Sequence, residues 1–245
     1  MPRYFVPKTE KEGLVTLTGD DAKHIGFSLR MAPGEHISVC DLSKRESYDA
    51  EIVSITRDEV LCRLCEKLSS NGEPPYEVSL FQAMPKSDKL EWIIQKAVEC
   101  GACEIMPFES SRCIVRLKNM EIDKKLSRYN KISLEASKQC GRSSLTPVLF
   151  PVSFEEMLRT LTGFDLVLCC YEGQGTEPLK TVLNRVGKEP GRIAVIVGSE
   201  GGFDINEVQK MRDAGAIPVN IGHRIYRAET APVVILSMLS YEFEN

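Results

Sequence analysis

The chain has 245 residues, 42% of them hydrophobic, which is enough for one large or two modest packed domains. Its apolar runs are far shorter than the ~20 residues that span a bilayer, and its first residues lack the apolar core of a secretory signal. Nine cysteines, an odd number, fit a reducing compartment better than a disulfide framework. We therefore expect a cytoplasmic protein with no membrane segment.

The net charge of −4 argues against a protein whose whole surface is basic and binds nucleic acid. The charge is unevenly spread, since residues 84–142 carry twelve Lys or Arg against eight Asp or Glu. Residues 143–245 carry nine basic against thirteen acidic side chains. A basic segment in an acidic protein is a candidate contact face for phosphates. An ordinary solvated helix surface explains the same composition equally well.

The first 68 residues predict a β-rich domain with one short helix. Apolar and β-branched residues alternate or cluster between Gly, Pro and Asp. The helix is predicted over residues 21–30, between Gly19-Asp20 and Pro33-Gly34. Residues 69–75 are the clearest linker, so we expect domains at 1–72 and 73–245. The predicted strands are residues 4–6, 15–17, 36–40, 48–55 and 60–64.

After the linker, strands alternate with helices, which predicts an α/β domain with a mainly parallel sheet covered on both faces. The first helix places Leu90, Ile93, Ile94, Ala97 and Val98 on one face. The last helix is apolar nearly all round, so we expect it in the core and partly in a homodimer interface. The predicted strands are 77–83, 105–107, 166–170, 193–197 and 217–221, and the further helices are 122–139, 206–214 and 228–242.

A glycine-rich segment, Gly198-Ser199-Glu200-Gly201-Gly202, directly follows a predicted buried strand. Its glycines permit positive φ and leave peptide groups uncovered. In open α/β sheets ligands bind beyond the carboxyl ends of the strands. The spacing is neither a dinucleotide fingerprint nor a phosphate-binding P-loop. Alone, the segment is equally well interpreted as a structural turn.

A second segment has the same form, because Gly222 follows the strand at 217–221 and Arg224, Arg227 and Glu229 come soon after it. Charged groups beside an apolar helix are costly unless they are paired or used. An Arg–Glu pair capping the helix is the structural alternative. Two such loops on neighbouring strands favour a small-molecule site.

The cysteines and histidines predict no metal site. Cys62-x-x-Cys65 and Cys100-x-x-Cys103 each have zinc-knuckle spacing, but the two pairs are separated by far more than the ~15–20 residues of a zinc ribbon. Buried free cysteine is common in protein cores. The three histidines, His24, His36 and His223, do not cluster in the sequence.

Residues 196–208 and 220–231 resemble the signature loops of SPOUT-type RNA methyltransferases, and specifically the ribosomal RNA small subunit methyltransferase E family. The resemblance covers essentially the whole chain. Two positions depart from the family pattern, Ser199 in place of proline and Tyr226 in place of leucine, and they bear on loop rigidity more than on activity. The other similar blocks are residues 82–86 with 95–99, 135–136 with 139–142, and 1–5 with 24–25 and 29–30.

The resemblance implies a SPOUT-type parallel sheet with a C-terminal trefoil knot, an exception to unknotted topology. A small PUA-like β-barrel domain would precede it and help to hold RNA. Knot and cofactor site would lie at about residues 165–235, with S-adenosylmethionine (SAM) as cofactor and two subunits completing each site. The reaction would be N3-methylation of one uridine in 16S ribosomal RNA of the small subunit.

Carried over by position, the resemblance also implies site residues. The cofactor would be bound by Cys170, Val197, Gly198, Glu200, Gly201, Gly202, Ile221, Gly222, Arg224 and Ile225. A cation near the uracil oxygens would stabilise the anion formed when N3 loses its proton. The catalytic candidates are Arg142 and Arg227 as that cation and Glu229 as a base that could instead pair with an arginine. The candidate RNA contacts are Arg3, Arg30, Lys86, Arg112, Arg116, Gln139 and Arg142.

Three alternatives stay open. The same fold could methylate another base or a ribose hydroxyl. The chain could instead be a non-catalytic RNA-binding or ribosome-assembly module. The glycines that both loops retain argue against this, because an inactive site does not require uncovered backbone. A nucleotide-dependent oxidoreductase is the third, and the missing dinucleotide fingerprint argues against it.

Overall fold

The computed structural model describes residues 1–9, 13–69, 72–116, 119–187 and 191–244. They divide into two compact units. The N-terminal unit contains Met1–Glu73 and Ser137–Leu145, and the C-terminal unit contains Pro74–Ala136 and Thr146–Asn245. The predicted linker therefore includes the point where the chain first leaves the N-terminal unit. Residues 137–145, which the sequence assigned to the second domain, group with the first.

The N-terminal unit is built on a five-stranded sheet in the order β1-β3-β4-β5-β2. β1 pairs with β3 in parallel and the other pairs are antiparallel. Ile37, Val39, Ile52 and Val60 are fully buried in its core. Each predicted strand is present and extends further than predicted. The strands are β1 (Arg3–Val6), β2 (Leu14–Thr18), β3 (His36–Asp41), β4 (Glu46–Ile55) and β5 (Glu59–Lys67).

The helix predicted over residues 21–30 begins and ends two residues earlier and is of mixed type. Helix α1 (Gly19–Lys23) begins with Asp20 and Asp21 in its first turn and runs directly into a π-helical turn, His24–Ser28. Acidic residues suit a helix start because they face its unpaired N–H groups. Ile25 from this turn is completely buried in the core of the unit.

The C-terminal unit is built on a seven-stranded sheet in the order β10-β12-β9-β11-β6-β7-β8, and every pairing in it is parallel. This confirms the predicted parallel sheet. All of Ile193, Ala194, Val195 and Ile196 are buried, as expected of a strand covered on both faces. The strands are β6 (Glu77–Ala83), β7 (Glu104–Glu109), β8 (Val152–Ser153), β9 (Leu166–Cys170), β10 (Glu177–Pro178), β11 (Arg192–Val197) and β12 (Ile217–Asn220). The knot stays a prediction.

The four helices predicted after the linker are present with shifted ends, and two further helices were missed. The predicted apolar face of α2 is confirmed, since its five residues are all buried. Helix α4 has a capping box that the sequence displays, with Ser153 accepting from the Glu156 N–H and Glu156 accepting from Ser153. Helix α5 follows Pro178. The helices are α2 (Lys89–Glu99), α3 (Asn119–Cys140), α4 (Phe154–Thr160), α5 (Leu179–Val186), α6 (Ile205–Asp213) and α7 (Thr230–Phe243).

Helix α7 is buried on one side and exposed on another. Ile235, Leu236 and Leu239 are fully buried, whereas Met238 is 38% and Tyr241 77% exposed. The core of the chain therefore covers only some of the apolar side chains of α7. In the described part of the chain no helix combines the length and apolarity needed to cross a membrane.

Candidate functional site

The candidate site lies where three neighbouring parallel strands end. β12, β9 and β11 are adjacent in the sheet, so their carboxyl ends meet at one edge. The segments that follow them line a cavity of about 470 Å³. That size is typical of small-molecule sites.

Nine of the ten predicted cofactor residues line this cavity. The catalytic candidate Arg227 lines it as well. The structure adds wall residues that the sequence did not single out, among them Lys89, Glu172, Ser199 and Phe203. The nine predicted residues are Cys170, Val197, Gly198, Glu200, Gly202, Ile221, Gly222, Arg224 and Ile225.

Gly201, the tenth, points elsewhere. A Cβ on Gly201 would lie 3.0 Å from the Arg112 Cβ, outside the cavity wall. Nη1 of Arg112 donates to the Gly201 carbonyl at 3.0 Å, and its Nη2 lies 3.7 Å from a carboxylate oxygen of Asp204. Gly201 does not line this cavity, so its part in cofactor binding stays a prediction; here glycine leaves room for the arginine that braces the loop.

The first loop, residues 198–204, is fixed by backbone contacts. The Gly202 N–H donates to the Ser199 carbonyl at 2.9 Å, and Gly202 has a φ of +64° that favours glycine. Nε2 of the fully buried Gln82 donates to the Gly198 carbonyl at 3.1 Å. Gln82 lies in a block that the resemblance marked, but its bracing role was not predicted.

The loop leaves polar groups available to a ligand. Ser199 Oγ is buried in the cavity wall and has no hydrogen-bond partner among the described residues. The Glu172 carboxylate lies against Gly202, since a Cβ there would be 2.7 Å from Glu172 Oε1. A hydroxyl, a carboxylate and uncovered peptide groups suit a polar molecule that carries positive charge.

The second loop runs from β12 to α7. Gly222 has a φ of +133°. Arg224 Nη2 donates to the Tyr226 hydroxyl at 3.3 Å and its guanidinium lies 6.0 Å from that ring centre. The Arg227 carbonyl accepts from Thr230 and Ala231 at 2.9 and 3.0 Å and so starts α7. Both arginines line the cavity.

Glu229 is paired with a lysine from another helix. Lys89 Nζ lies 3.0 Å from Glu229 Oε2 and 3.0 Å from Glu200 Oε1. Hydrogen bonds to both carboxylates raise the pKa of Lys89. Burial alone would raise the pKa of Glu200 and Glu229, but the Lys89 ammonium and nearby amides outweigh it and lower both. Glu229 is therefore ionised at neutral pH and is a weak base.

The predicted RNA contacts have different surroundings. Arg30, Lys86, Arg112, Arg116 and Gln139 are exposed. Arg116 pairs with Glu109 at 3.0 Å. Arg3 is turned inward, with Nη1 donating to the Arg142 carbonyl at 2.8 Å.

Arg142 is buried in the N-terminal unit and does not line the cavity. Its Nη2 and Nε donate to Glu73 Oε2 at 2.6 and 3.2 Å. The N–H groups of Ser143 and Ser144 donate to Glu73 Oε1 at 2.9 Å each. A guanidinium enclosed in this way is not available to a phosphate or a uracil. These contacts favour a structural role for Arg142, whose partner Glu73 was predicted as part of the linker.

Of the two cysteine pairs with zinc-knuckle spacing, the first has Cys62 buried and Cys65 exposed, and the second, Cys100 and Cys103, is half-buried. A grouping that the sequence did not predict occurs on the N-terminal sheet, where the ligand atoms of His36, Asp49 and Cys65 lie within 4.8 Å of one another. The His36–Asp49 contact is a 2.7 Å hydrogen bond between neighbouring strands. The prediction of no metal is left as a prediction.

Comparison with protein families defines the class. Residues 72–240 match the family model described as RNA methyltransferase domain, and residues 17–65 match the RNA methyltransferase PUA domain. The chain is therefore an RNA methyltransferase with a PUA domain, and its catalytic domain is built on the predicted parallel sheet.

The particular family follows from full-length relatives. The ribosomal RNA small subunit methyltransferase E of Bacillus subtilis is 32% identical, with 100% of this chain and 98% of the relative covered. The Neisseria gonorrhoeae enzyme of that name, solved bound to SAM, is 29% identical with a TM-score of 0.85, covering 98% and 97% of the two chains. A Legionella pneumophila protein in complex with SAM is 28% identical with a TM-score of 0.83, covering 98% and 96%. The chain belongs to the ribosomal RNA small subunit methyltransferase E family.

The structural role of Arg142 predicts a pH-dependent loss of stability. Arg142→Met leaves Glu73 partly buried without its partner, which we expect to cost about 3 kcal/mol of unfolding free energy at pH 7. The pKa of Glu73 is lowered: burial raises it, and the Arg142 hydrogen bonds and charge outweigh that effect. The stability that ionised Glu73 contributes is therefore present above the pKa of an unfolded glutamate, about 4.3. It is lost as the pH falls through the lower pKa of Glu73 in the folded protein.

Urea unfolding of wild type and variant at pH 7 and at pH 3.5 measures this, and the difference between them should shrink at the lower pH. Arg63→Met is the control, because Arg63 forms an exposed 3.8 Å pair with Glu51 in the same unit; it should cost less than about 1 kcal/mol. Unchanged stability of Arg142→Met together with lost RNA methylation would restore Arg142 to the functional residues.

Proposed function

We propose that the protein transfers the methyl group of SAM to N3 of a specific uridine in the 16S ribosomal RNA of the small subunit. The observation that carries the proposal is the cavity, where three loops of the sheet edge bring together the nine residues that the family resemblance assigned to the cofactor. Two similar structures were solved with SAM. The family name of the full-length relatives gives the ribosomal substrate.

The residues present fit this cofactor. When bound, SAM supplies an activated methyl group on a sulfonium, and no metal is needed. The Glu172 carboxylate and Ser199 hydroxyl offer acceptors in the wall. Gly198 and Gly202 have no side chains, which allows close approach to the backbone of the wall. The task of the protein is to align donor and acceptor, which is positional catalysis.

Arg227 is the cation that we assign to the uracil oxygens. It lines the cavity from the start of α7, where Thr230 and Ala231 fix its backbone. A guanidinium near O2 or O4 stabilises the negative charge that develops as N3 loses its proton. Arg142 is withdrawn from this role because Glu73 encloses it. Glu229 is held as a carboxylate by its ion pair with Lys89.

For the RNA, we propose phosphate contacts by the exposed Arg30, Lys86, Arg112, Arg116 and Gln139. The target base must leave its stack to reach the cavity. We place the protein in the cytoplasm, where ribosomal particles assemble and where its described cysteines, all free, stay reduced.

We also propose a homodimer. Helices α2 and α7 pack on each other, and they expose the apolar side chains Trp92 (44%), Met238 (38%) and Tyr241 (77%). Large exposed apolar groups on adjoining helices are typical of protein interfaces. The second subunit would then complete each cavity.

The first prediction concerns the cofactor loop. Gly202→Ala forces a side chain into a left-handed position and displaces Glu172, so we expect the Kd for SAM to rise at least about tenfold. Calorimetric titration measures it. Gly215→Ala is the matched control, since its φ is +91° with no atom within 4 Å of the added Cβ. It should share the backbone strain of about 1 kcal/mol and keep the wild-type Kd. If the two variants bind SAM with equal affinity, the prediction that SAM binds at this loop is contradicted.

The second prediction concerns the product. Small subunits from cells lacking the protein, incubated with it and SAM and digested to nucleosides, should yield 3-methyluridine by mass spectrometry. Arg227→Gln should slow methylation about 100-fold, whereas Arg185→Gln, in an exposed pair on α5, should not. Methyl on another base or a ribose would favour that alternative. SAM binding without methyl transfer to particles or free RNA would favour the non-catalytic module.

The third prediction concerns the dimer. Sedimentation should give twice the chain mass of 27.4 kDa. Tyr241→Glu should yield monomers, because a charge buried between subunits is costly. Phe150→Glu, at a 50% exposed residue outside both helices, should stay dimeric. A wild type that sediments as a monomer at micromolar concentration contradicts the proposal.

A further inference from the structure

One side chain joins three separate segments of the cavity wall. Lys89 stands at the first position of α2 and lines the cavity. Its Nζ lies 3.0 Å from Glu200 in the first loop and 3.0 Å from Glu229, the residue before α7. The sequence separations from Lys89 exceed a hundred residues, so this contact exists only in the folded unit.

The contact joins three charged groups, whereas an ordinary surface ion pair joins two. The side chains of Lys89, Glu200 and Glu229 are only 33%, 25% and 20% exposed. Two carboxylates share one ammonium, so their nearest oxygens are at most about 6 Å apart, twice the Lys89 contact distance. Without the ammonium the two negative charges would face each other across the wall.

Both carboxylates belong to segments that shape the site. Glu200 lies between Gly198 and Gly202 and also accepts from the Lys86 N–H at 3.2 Å. Glu229 directly follows Arg227 and Ala228, which line the cavity. Lys89 therefore links the first loop to the start of α7.

We propose that Lys89 is a positioning residue for methyl transfer, whose ammonium holds the Glu200 loop and the Glu229 end of α7 at the spacing that the cofactor and Arg227 require. This inference rests on the proposed function and adds to it a residue outside the loops assigned by resemblance. Lys89 acts through the two glutamates.

Removing the ammonium has a specific electrostatic consequence. In Lys89→Met the two glutamates lose their shared partner, and their mutual repulsion favours protonation of one of them. Repulsion is relieved at low pH and grows as both ionise. The variant should therefore bind SAM better at pH 5 than at pH 8, in contrast to wild type. The other titratable groups around the cavity are the same in both proteins: Cys170, Tyr171, Glu172, His223, Arg224, Tyr226 and Arg227.

The test compares four variants by SAM calorimetry from pH 5 to pH 8 and by single-turnover methylation of small subunits. Lys89→Met should weaken binding at pH 8 and slow methylation about tenfold each. Lys89→Arg, which keeps the charge, should recover most of both. Lys96→Met is the matched control on the same helix, because Lys96 pairs with Glu99 at 2.8 Å and similar exposure; it should behave as wild type.

The double variant Lys89→Met/Glu229→Gln removes one of the facing charges. It should regain pH-independent SAM binding, and it also provides a folded protein if Lys89→Met alone is unstable. The inference is overturned if Lys89→Met binds SAM and methylates RNA like the wild type. It is also overturned if Lys89→Met loses SAM affinity and methylation rate and neither Lys89→Arg nor the double variant restores them. Failure of the wild-type protein to bind SAM is a separate result, which contradicts the proposed function itself.

Discussion

The candidate site depends on one constraint, the side-by-side parallel pairing of β12, β9 and β11. In this register Val219 lies opposite Cys170, and Cys169 lies opposite Ile196. The three strands therefore end within a residue or two of one another. The chain must leave the sheet three times at the same edge, and the segments that leave it enclose the cavity. Residues far apart in sequence become neighbours for this reason alone.

The cavity wall is held mainly by backbone groups, which explains where glycine is required. Gly202 closes the turn with Ser199 in a left-handed conformation. Gln82 supports the same turn from inside the sheet, through the Gly198 carbonyl. Because Gln82 is fully buried, its amide donors must be used, and bracing this loop is how one of them is satisfied. The loop is thus preorganised by the sheet beneath it.

The sequence predicted best those features that one segment determines by itself. The strand at 193–197 is a continuous apolar run because both faces of the sheet are covered, and the glycines at 202 and 222 adopt positive φ values that favour glycine. Lys89 and Gln82 were missed as site residues because their partners lie more than a hundred residues away. Helix α4 was missed although its capping box is present in the sequence.

Arg142 shows the limit of assigning roles by resemblance. The family block around it is real, but the pattern gave no sign that Glu73, in a stretch rich in Pro, Gly and Ser, would enclose the guanidinium. The Glu73 carboxylate accepts from Ser143 and Ser144 as well as from Arg142. It therefore fixes residues 142–144 to the last residue of the first chain segment in the N-terminal unit. A residue's place in a motif is therefore compatible with a purely structural function.

The charges around the cavity also constrain the proposed chemistry. The Lys89 ammonium keeps Glu229 ionised and lowers its basicity, so this carboxylate is a poor acceptor for a full proton. Uracil N3–H is itself weakly acidic, and a guanidinium beside the ring oxygens stabilises the anion whichever group finally takes the proton. In the proposed reaction, alignment and Arg227 therefore matter more for the rate than a strong base. The role that we propose for the Lys89 contact is to hold α7, and with it Arg227, at the correct distance from the cofactor loop.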